Sequence, residues 1–214
     1  IGRGRSFGRL VMTITAQDHA RISAAIRALE ARTSGELVCV LARASSEYAA
    51  APLLWAALTA LLAPWPLILL TQWPVRSLFA VQIMVYIAAL VLFSSPRLRV
   101  ALTPRATRRA LAHRAASEQF ITRRMSRTQG RTGVLVFVSL AERYARIIAD
   151  EGVAAKVDQK EWQAAIDALT GQMREGHMAE GLLAAIGACG EVLARHAPPG
   201  DGPRGELPDR LYLI

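Results

Sequence analysis

The sequence predicts an α/β fold: a small mixed sheet packed by helices and interrupted by a two-helix transmembrane hairpin. Three observations carry this reading. Two long uncharged apolar runs stand back to back in the middle of the chain, short apolar runs of strand length flank them, and capped amphipathic segments surround those strands.

The hairpin is the strongest pattern. Tyr48 to Val75 are 28 consecutive positions without a charge, Ser77 to Pro96 are another 20, and only Arg76 separates them. A helix needs about 20 predominantly apolar residues to cross the hydrocarbon core, and both runs qualify. Thr71 to Ser77 supply a polar turn, with Trp73 of the kind found at headgroup boundaries. Pro64-Trp65-Pro66 falls inside the first run, where it predicts a kink rather than an end.

The net charge of +9 is concentrated in one place. Ten arginines lie between Arg97 and Arg131 against the single acid Glu118, and elsewhere basic and acidic residues balance at 16 each. Lys and Arg beside a membrane helix favour the cytoplasmic side, so Arg97, Arg99, Arg105, Arg108 and Arg109 after the second helix, with Arg43 before the first, place both chain ends in the cytoplasm. The same five arginines are expected to contact anionic lipid headgroups of the bilayer, each contributing about 1 kcal/mol near the surface. Nucleic acid is not expected as a partner, because the segment has few interleaved aromatics and no reader motif.

Before the hairpin, Thr15-Ala16-Gln17-Asp18 resembles a capping box, and Ile22, Ile26 and Leu29 follow at helical spacing. Thr33-Ser34-Gly35 ends that helix, and Glu36 to Leu41 reads as a buried strand. After the hairpin, Thr103-Pro104 opens a basic helix expected to reach about Arg127. Val134 to Ser139 and Tyr144 to Ile148 read as two strands joined by the loop Leu140 to Arg143. The first two strands are separated by a long excursion, which permits a parallel pair. Two helical stripes follow, Trp162, Ile166, Leu169 and Met173 after Asp158 as a cap, then Leu182, Leu183, Ile186, Cys189 and Leu193.

The expected organisation is therefore residues 1–11 without a folding pattern, 12–47 as the first part of the α/β domain, 48–96 as the hairpin, 97–197 as the basic helix and second part, and 198–214 as a flexible tail. Natural translation is expected to start at Met12. The apolar block lies too far along the chain to be a cleavable signal peptide. Cys39 and Cys189 lack any metal-ligand or disulfide spacing and read as buried reduced thiols.

Glu30 to Glu36 before an apolar strand, Thr132 to Arg143, Ala149-Asp150-Glu151-Gly152 and Glu206-Leu207-Pro208-Asp209 together resemble the bacterial membrane-embedded branch of the TPM domain family. The resemblance spans Met12 to Ile214. It implies a location in the bacterial inner membrane, and for function it implies two alternatives, because relatives include both lumenal proteins with acid phosphatase activity and an auxiliary protein of a receptor. The first is a non-enzymatic, membrane-tethered interaction or assembly module with a membrane or cytosolic protein partner. The second is a divalent-metal-dependent phosphatase.

For the second, Asp150, Glu151 and Asp158 are the candidate oxygen ligands for Ca2+ or Mg2+. The plainer reading makes Asp150-Glu151-Gly152 a strand-ending turn and Asp158 a helix cap. His19, His113, His177 and His196 stand alone without a metal or nucleophile motif and read as surface residues. No complete catalytic signature is present in the sequence.

Overall fold

A computed structural model describes residues 14–46, 48–128, 130–199, 207–208 and 210–214, with every side chain among them except that of Arg97. The expectations for residues 1–11, for a start at Met12, and for Glu206 and Asp209 lie outside the described residues. The chain divides into two compact units: one holds the described residues up to Ser45 together with Ala112–Ile214, and the other holds Ser46–Leu111.

In the first unit, helix α1 covers Ala16–Glu30 and begins with the expected capping box. Thr15 Oγ1 accepts the Asp18 N–H at 3.1 Å, and Asp18 Oδ2 accepts the Thr15 N–H at 3.0 Å. Those hydrogen bonds from Thr15, with Arg21 close by, hold the Asp18 carboxyl below its ordinary range. Ile22, Ile26 and Leu29 are all buried.

Strands β1 (Glu36–Ala42), β2 (Gly133–Ser139) and β3 (Tyr144–Ala149) follow the predicted pattern. β1 and β2 are parallel, from Glu36 opposite Gly133 to Ala42 opposite Ser139. β2 and β3 are antiparallel, from Val134 opposite Ala149 to Ser139 opposite Tyr144. All seven residues of β1 and of β2 are buried, because helices cover both faces of the sheet.

Alternation along the strands divides the core in two. Leu37, Cys39, Leu41, Val134, Val136 and Val138 pack with α1 and with α8 (Gln159–Arg174) and α9 (Met178–His196). Val38, Val40, Leu135 and Phe137 face the other way, onto Ala116 and Met125. Each large aliphatic side chain fully buried in this way stabilises the fold by roughly 1.5–3 kcal/mol relative to exposure. Of the predicted stripes, Trp162 and Leu169 of α8 and Leu182, Ile186, Cys189 and Leu193 of α9 are buried, while Ile166, Met173 and Leu183 pack at the margin.

The tail is a correction. Leu211–Leu213 form strand β4, parallel to β1 with Cys39 opposite Leu211, so the sheet order is β3-β2-β1-β4. Leu211 enters the core, and Tyr212 lies beneath the Arg123 guanidinium at 3.5 Å from its ring centre. The outer edge of β1 otherwise offers unpaired backbone groups, and three residues suffice to cover part of it.

The basic helix also departs from expectation. It is α6, Arg105–Thr122, and it stops before Arg127: Arg124 turns left-handed (φ 58°) and Met125–Arg127 form a single 3-10 turn. Burial of Met125 draws the chain inward, and Gly133 comes so close that a Cβ there would lie 2.4 Å from the Met125 carbonyl oxygen. Thr103 does not cap the helix. Its hydroxyl donates to the Arg99 carbonyl at 2.9 Å instead.

The second unit is the helical hairpin. Helix α2 (Ala50–Leu62) runs into α3 (Pro64–Leu70) through Ala63, whose backbone stays helical at φ −58° and ψ −39°. Pro64 is thus tolerated in a first-turn position, where its missing N–H costs nothing. Thr71 to Pro74 turn the chain, and α4 covers Val75–Phe93. Ser94 and Ser95 then interrupt the helix before a separate short helix, α5 (Pro96–Leu102), which was not anticipated.

Ala50–Leu70 and Val75–Phe93 are 21 and 19 residues long and apolar enough to cross a membrane. At 1.5 Å per residue each extends about 30 Å, the thickness of a bilayer's hydrocarbon core. Leu54, Leu69, Leu70, Met84 and Val91 are each more than two-thirds exposed.

Candidate functional site

The acidic positions singled out in the sequence lie where β3 ends. Asp150 follows the last residue of β3 and caps the four-residue helix α7 (Glu151–Ala154), its Oδ1 accepting the Glu151 N–H at 2.9 Å. Arg131, just before β2, reaches across the hairpin. Its Nε lies 3.3 Å from Asp150 Oδ2, its Nη2 lies 3.4 Å from Asp150 Oδ1, and its Nη1 pairs with Glu151. Asp150 is buried, whereas the Glu151 side chain is 76% exposed.

Asp158 is used separately. Its Oδ1 accepts the Lys160 N–H at 3.1 Å and caps α8. Asp150 and Glu151 are therefore brought together by Arg131, and Asp158 is engaged at its own helix. Among the described residues, no group of three or more His, Cys, Asp or Glu side chains stands ready to hold a metal ion. For Ca2+ or Mg2+, the described donor set does not fit: the buried carboxylate already faces a guanidinium, which opposes a second cation at the same oxygens.

Sequence reasoning missed Arg131, although a signal existed. The β2–β3 register pairs Val134 with Ala149, so a residue shortly before β2 falls beside one shortly after β3. It also missed Glu142. In α/β sheets, sites gather beyond the carboxyl ends of parallel strands, and Glu142 lies there, buried beside the ends of β1 and β2. Its Oε1 accepts the Ser45 N–H at 3.0 Å, its Oε2 accepts the Ser45 hydroxyl at 3.3 Å, and the Ser139 hydroxyl bonds to the same oxygen. Ser139 is fully buried and Ser45 is half-buried, and through Glu142 the triplet ties the two strand ends together.

Other motif residues hold backbone in the same way. Glu30 accepts the Leu37 N–H at 3.0 Å, Glu36 accepts the Leu207 N–H at 3.1 Å, and Thr132 Oγ1 donates to the Ser34 carbonyl at 2.6 Å. These bonds join α1 to β1, β1 to the tail, and the entries of β1 and β2. Hydrogen bonds to buried charged groups contribute about 1.5–3 kcal/mol each.

The four histidines are dispersed. His113 meets Arg146, His177 lies 3.7 Å from Glu175, His196 lies 3.6 Å from Glu161, and His19 is part of α1. Both cysteines are free and buried.

Of the five arginines expected at lipid headgroups, Arg105 and Arg109 are exposed on α6. Arg99 and Arg108 are half-buried, and the Nε of each is buried without a hydrogen-bond partner among the described residues. The Arg97 side chain lies outside the described residues.

The α/β unit is thus a four-stranded mixed sheet packed by helices, whose motif residues bind its own backbone. The sequence profile of the TPM domain matches residues 82–192, more than half of the chain, and the chain belongs to the TPM domain family. The match begins within α4 and ends within α9, leaving α1 and β1 on the far side of the hairpin. Among solved structures, the BA42 protein of the psychrophilic bacterium Bizionia argentinensis, determined by NMR, is similar, with a TM-score of 0.59 and 19% identity over 94% of this chain and 96% of that one. At this identity the likeness speaks for the fold alone. No curated protein matches the chain.

Proposed function

We propose that this protein is a two-pass, membrane-tethered TPM module of the bacterial inner membrane, with the α/β unit in the cytoplasm, and that it acts by engaging a membrane or cytosolic protein rather than by catalysis. The observation that carries the reading is how the acidic side chains are used. Asp150, Glu142, Glu30, Glu36 and Asp158 all accept hydrogen bonds from the fold's own backbone or from neighbouring side chains. A carboxylate committed in this way serves architecture.

Tethering is supported by two spanning-length helices with exposed apolar surfaces. The orientation is supported by the arginines after α4, of which Arg105 and Arg109 are exposed to reach lipid phosphates. Single reporter cysteines at Gln72 and at Gly202, in a chain lacking Cys39 and Cys189, test the orientation in intact cells. An impermeant thiol reagent is expected to label position 72 and spare position 202, and the reverse result would overturn it. A protein partner is expected to co-purify reproducibly from gently solubilised membranes, and repeated failure across detergents would count against an interaction module.

The second reading, a divalent-metal-dependent phosphatase, is favoured by one feature, the exposed Glu151 carboxylate beside Asp150. It requires Arg131 to release that pair. Phosphatase activity unchanged by Asp150→Ala with Asp158→Ala would remove these residues from such a role.

A further inference from the structure

A pocket of about 420 Å³ opens in the α/β unit between the β2–β3 loop and the helical layer, distant in sequence from the membrane hairpin. Its lining is Leu140, Arg143, Tyr144 and Ala145 from the β-hairpin, with Thr170, Met173 and Arg174 from the end of α8 and Met178 from the start of α9. Such a volume is within the usual range for small-molecule sites, roughly 300–1,000 Å³.

The lining divides by chemistry. Leu140, Ala145, Met173 and Met178 make an apolar wall, and the two methionines are unbranched and deformable, suited to chains of varied shape. Arg143 and Arg174 are exposed cations at its margin, and no acidic side chain among the described residues lines the space. The Thr170 hydroxyl donates to the Asp167 carbonyl, which leaves its oxygen free to accept. Arg143 is held in a left-handed conformation (φ 51°) by the tight loop, so its side chain leaves the loop in a set direction.

We infer that this pocket binds a small amphipathic anion: a single short aliphatic chain seated on Leu140, Met173 and Met178, with its carboxylate or phosphate head at Arg174 and Arg143. An apolar wall bordered by two cations complements that shape and charge. A neutral apolar ligand would gain nothing from the arginines, and a cationic one would be repelled by them.

Full-length protein in zwitterionic lipid nanodiscs, labelled with 13C at methionine methyls, provides the test. Titration with hexanoate and with hexyl phosphate is expected to shift the Met173 and Met178 signals, and the stronger of the two identifies the preferred head group. Hexylamine and acetate are expected to leave both signals in place. Arg174→Gln, an exposed substitution that leaves the core untouched, is expected to weaken anion binding about threefold to tenfold. Arg143→Gln provides an independent second variant. Equal shifts by hexylamine, or no shift with either anion, would overturn the proposal.

Discussion

Arg131 and Asp150, at the two open ends of the β2–β3 hairpin, face each other with both carboxylate oxygens opposed by guanidinium nitrogens at 3.3 and 3.4 Å. Asp150 also caps α7, so one buried carboxylate closes the hairpin and starts the next helix. Asp150→Ala is expected to cost about 1–3 kcal/mol. Thermal unfolding measures the loss. Hydrogen exchange at the Glu151 and Gly152 amides is expected to accelerate more than exchange in β2.

Gly152 is where this closure is tightest. A Cβ at that position would lie 2.1 Å from the Gly130 carbonyl oxygen and 2.7 Å from that of Arg131, and backbone oxygens cannot swing aside as a side chain can. Gly152→Ala is expected to destabilise the α/β unit by about 2–4 kcal/mol. Gly171→Ala, where a Cβ meets nothing within 4 Å, is the control and is expected to be neutral or slightly stabilising. Circular-dichroism melts of the two variants side by side decide the matter.

Burial raises both thiols, pushing Cys189 up to about 12 from an ordinary 9.0 and raising Cys39 as well, with Cys189 and Glu30 adding to the effect at Cys39. Neither is expected to react with iodoacetamide at pH 8 while the protein is folded, and both are expected to react once it is denatured. Because the folded state holds the proton more tightly, this contribution to stability is complete below the unfolded value of 9.0 and falls as pH rises toward 12. Unfolding measured from pH 8 to pH 11 checks the sign.

Removal of Leu211–Ile214 is expected to expose the outer edge of β1. Arg43 donates its N–H to the Ile214 carbonyl at 2.8 Å, so its amide is expected to lose protection in the truncated chain, while Leu135 in the centre of the sheet keeps its own. The uncovered edge is also expected to promote self-association, measurable by light scattering.

Local rules account for much of what was legible in the residues. The Thr15 cap, the Asp158 cap and the runs of β1, β2 and β3 appear within a residue or two of their predicted bounds, because each depends on neighbours a few positions away. Elements set by distant contacts were not legible. β4 is three residues long and draws its stability from β1, more than 160 positions earlier. The end of α6 is decided by where Met125 must be buried rather than by any stop signal in the helix itself. Asp150, Glu151 and Asp158 were visible as acids, but their hydrogen bonds depend on Arg131 and on the first turns of α7 and α8.

Read alone, then, the residues established the alternation of strand and helix, a long apolar hairpin that permits a parallel pair around it, and the family resemblance, because periodicity, capping and motif order are properties of the chain. Tertiary structure alone decided that the acidic motif residues bind the fold's own backbone, that the tail completes the sheet, and that Arg143, Arg174, Met173 and Met178 surround one pocket. The physical reason is that a carboxylate or guanidinium takes its role from whichever partner folding brings within about 3 Å, and that partner stands anywhere along the chain.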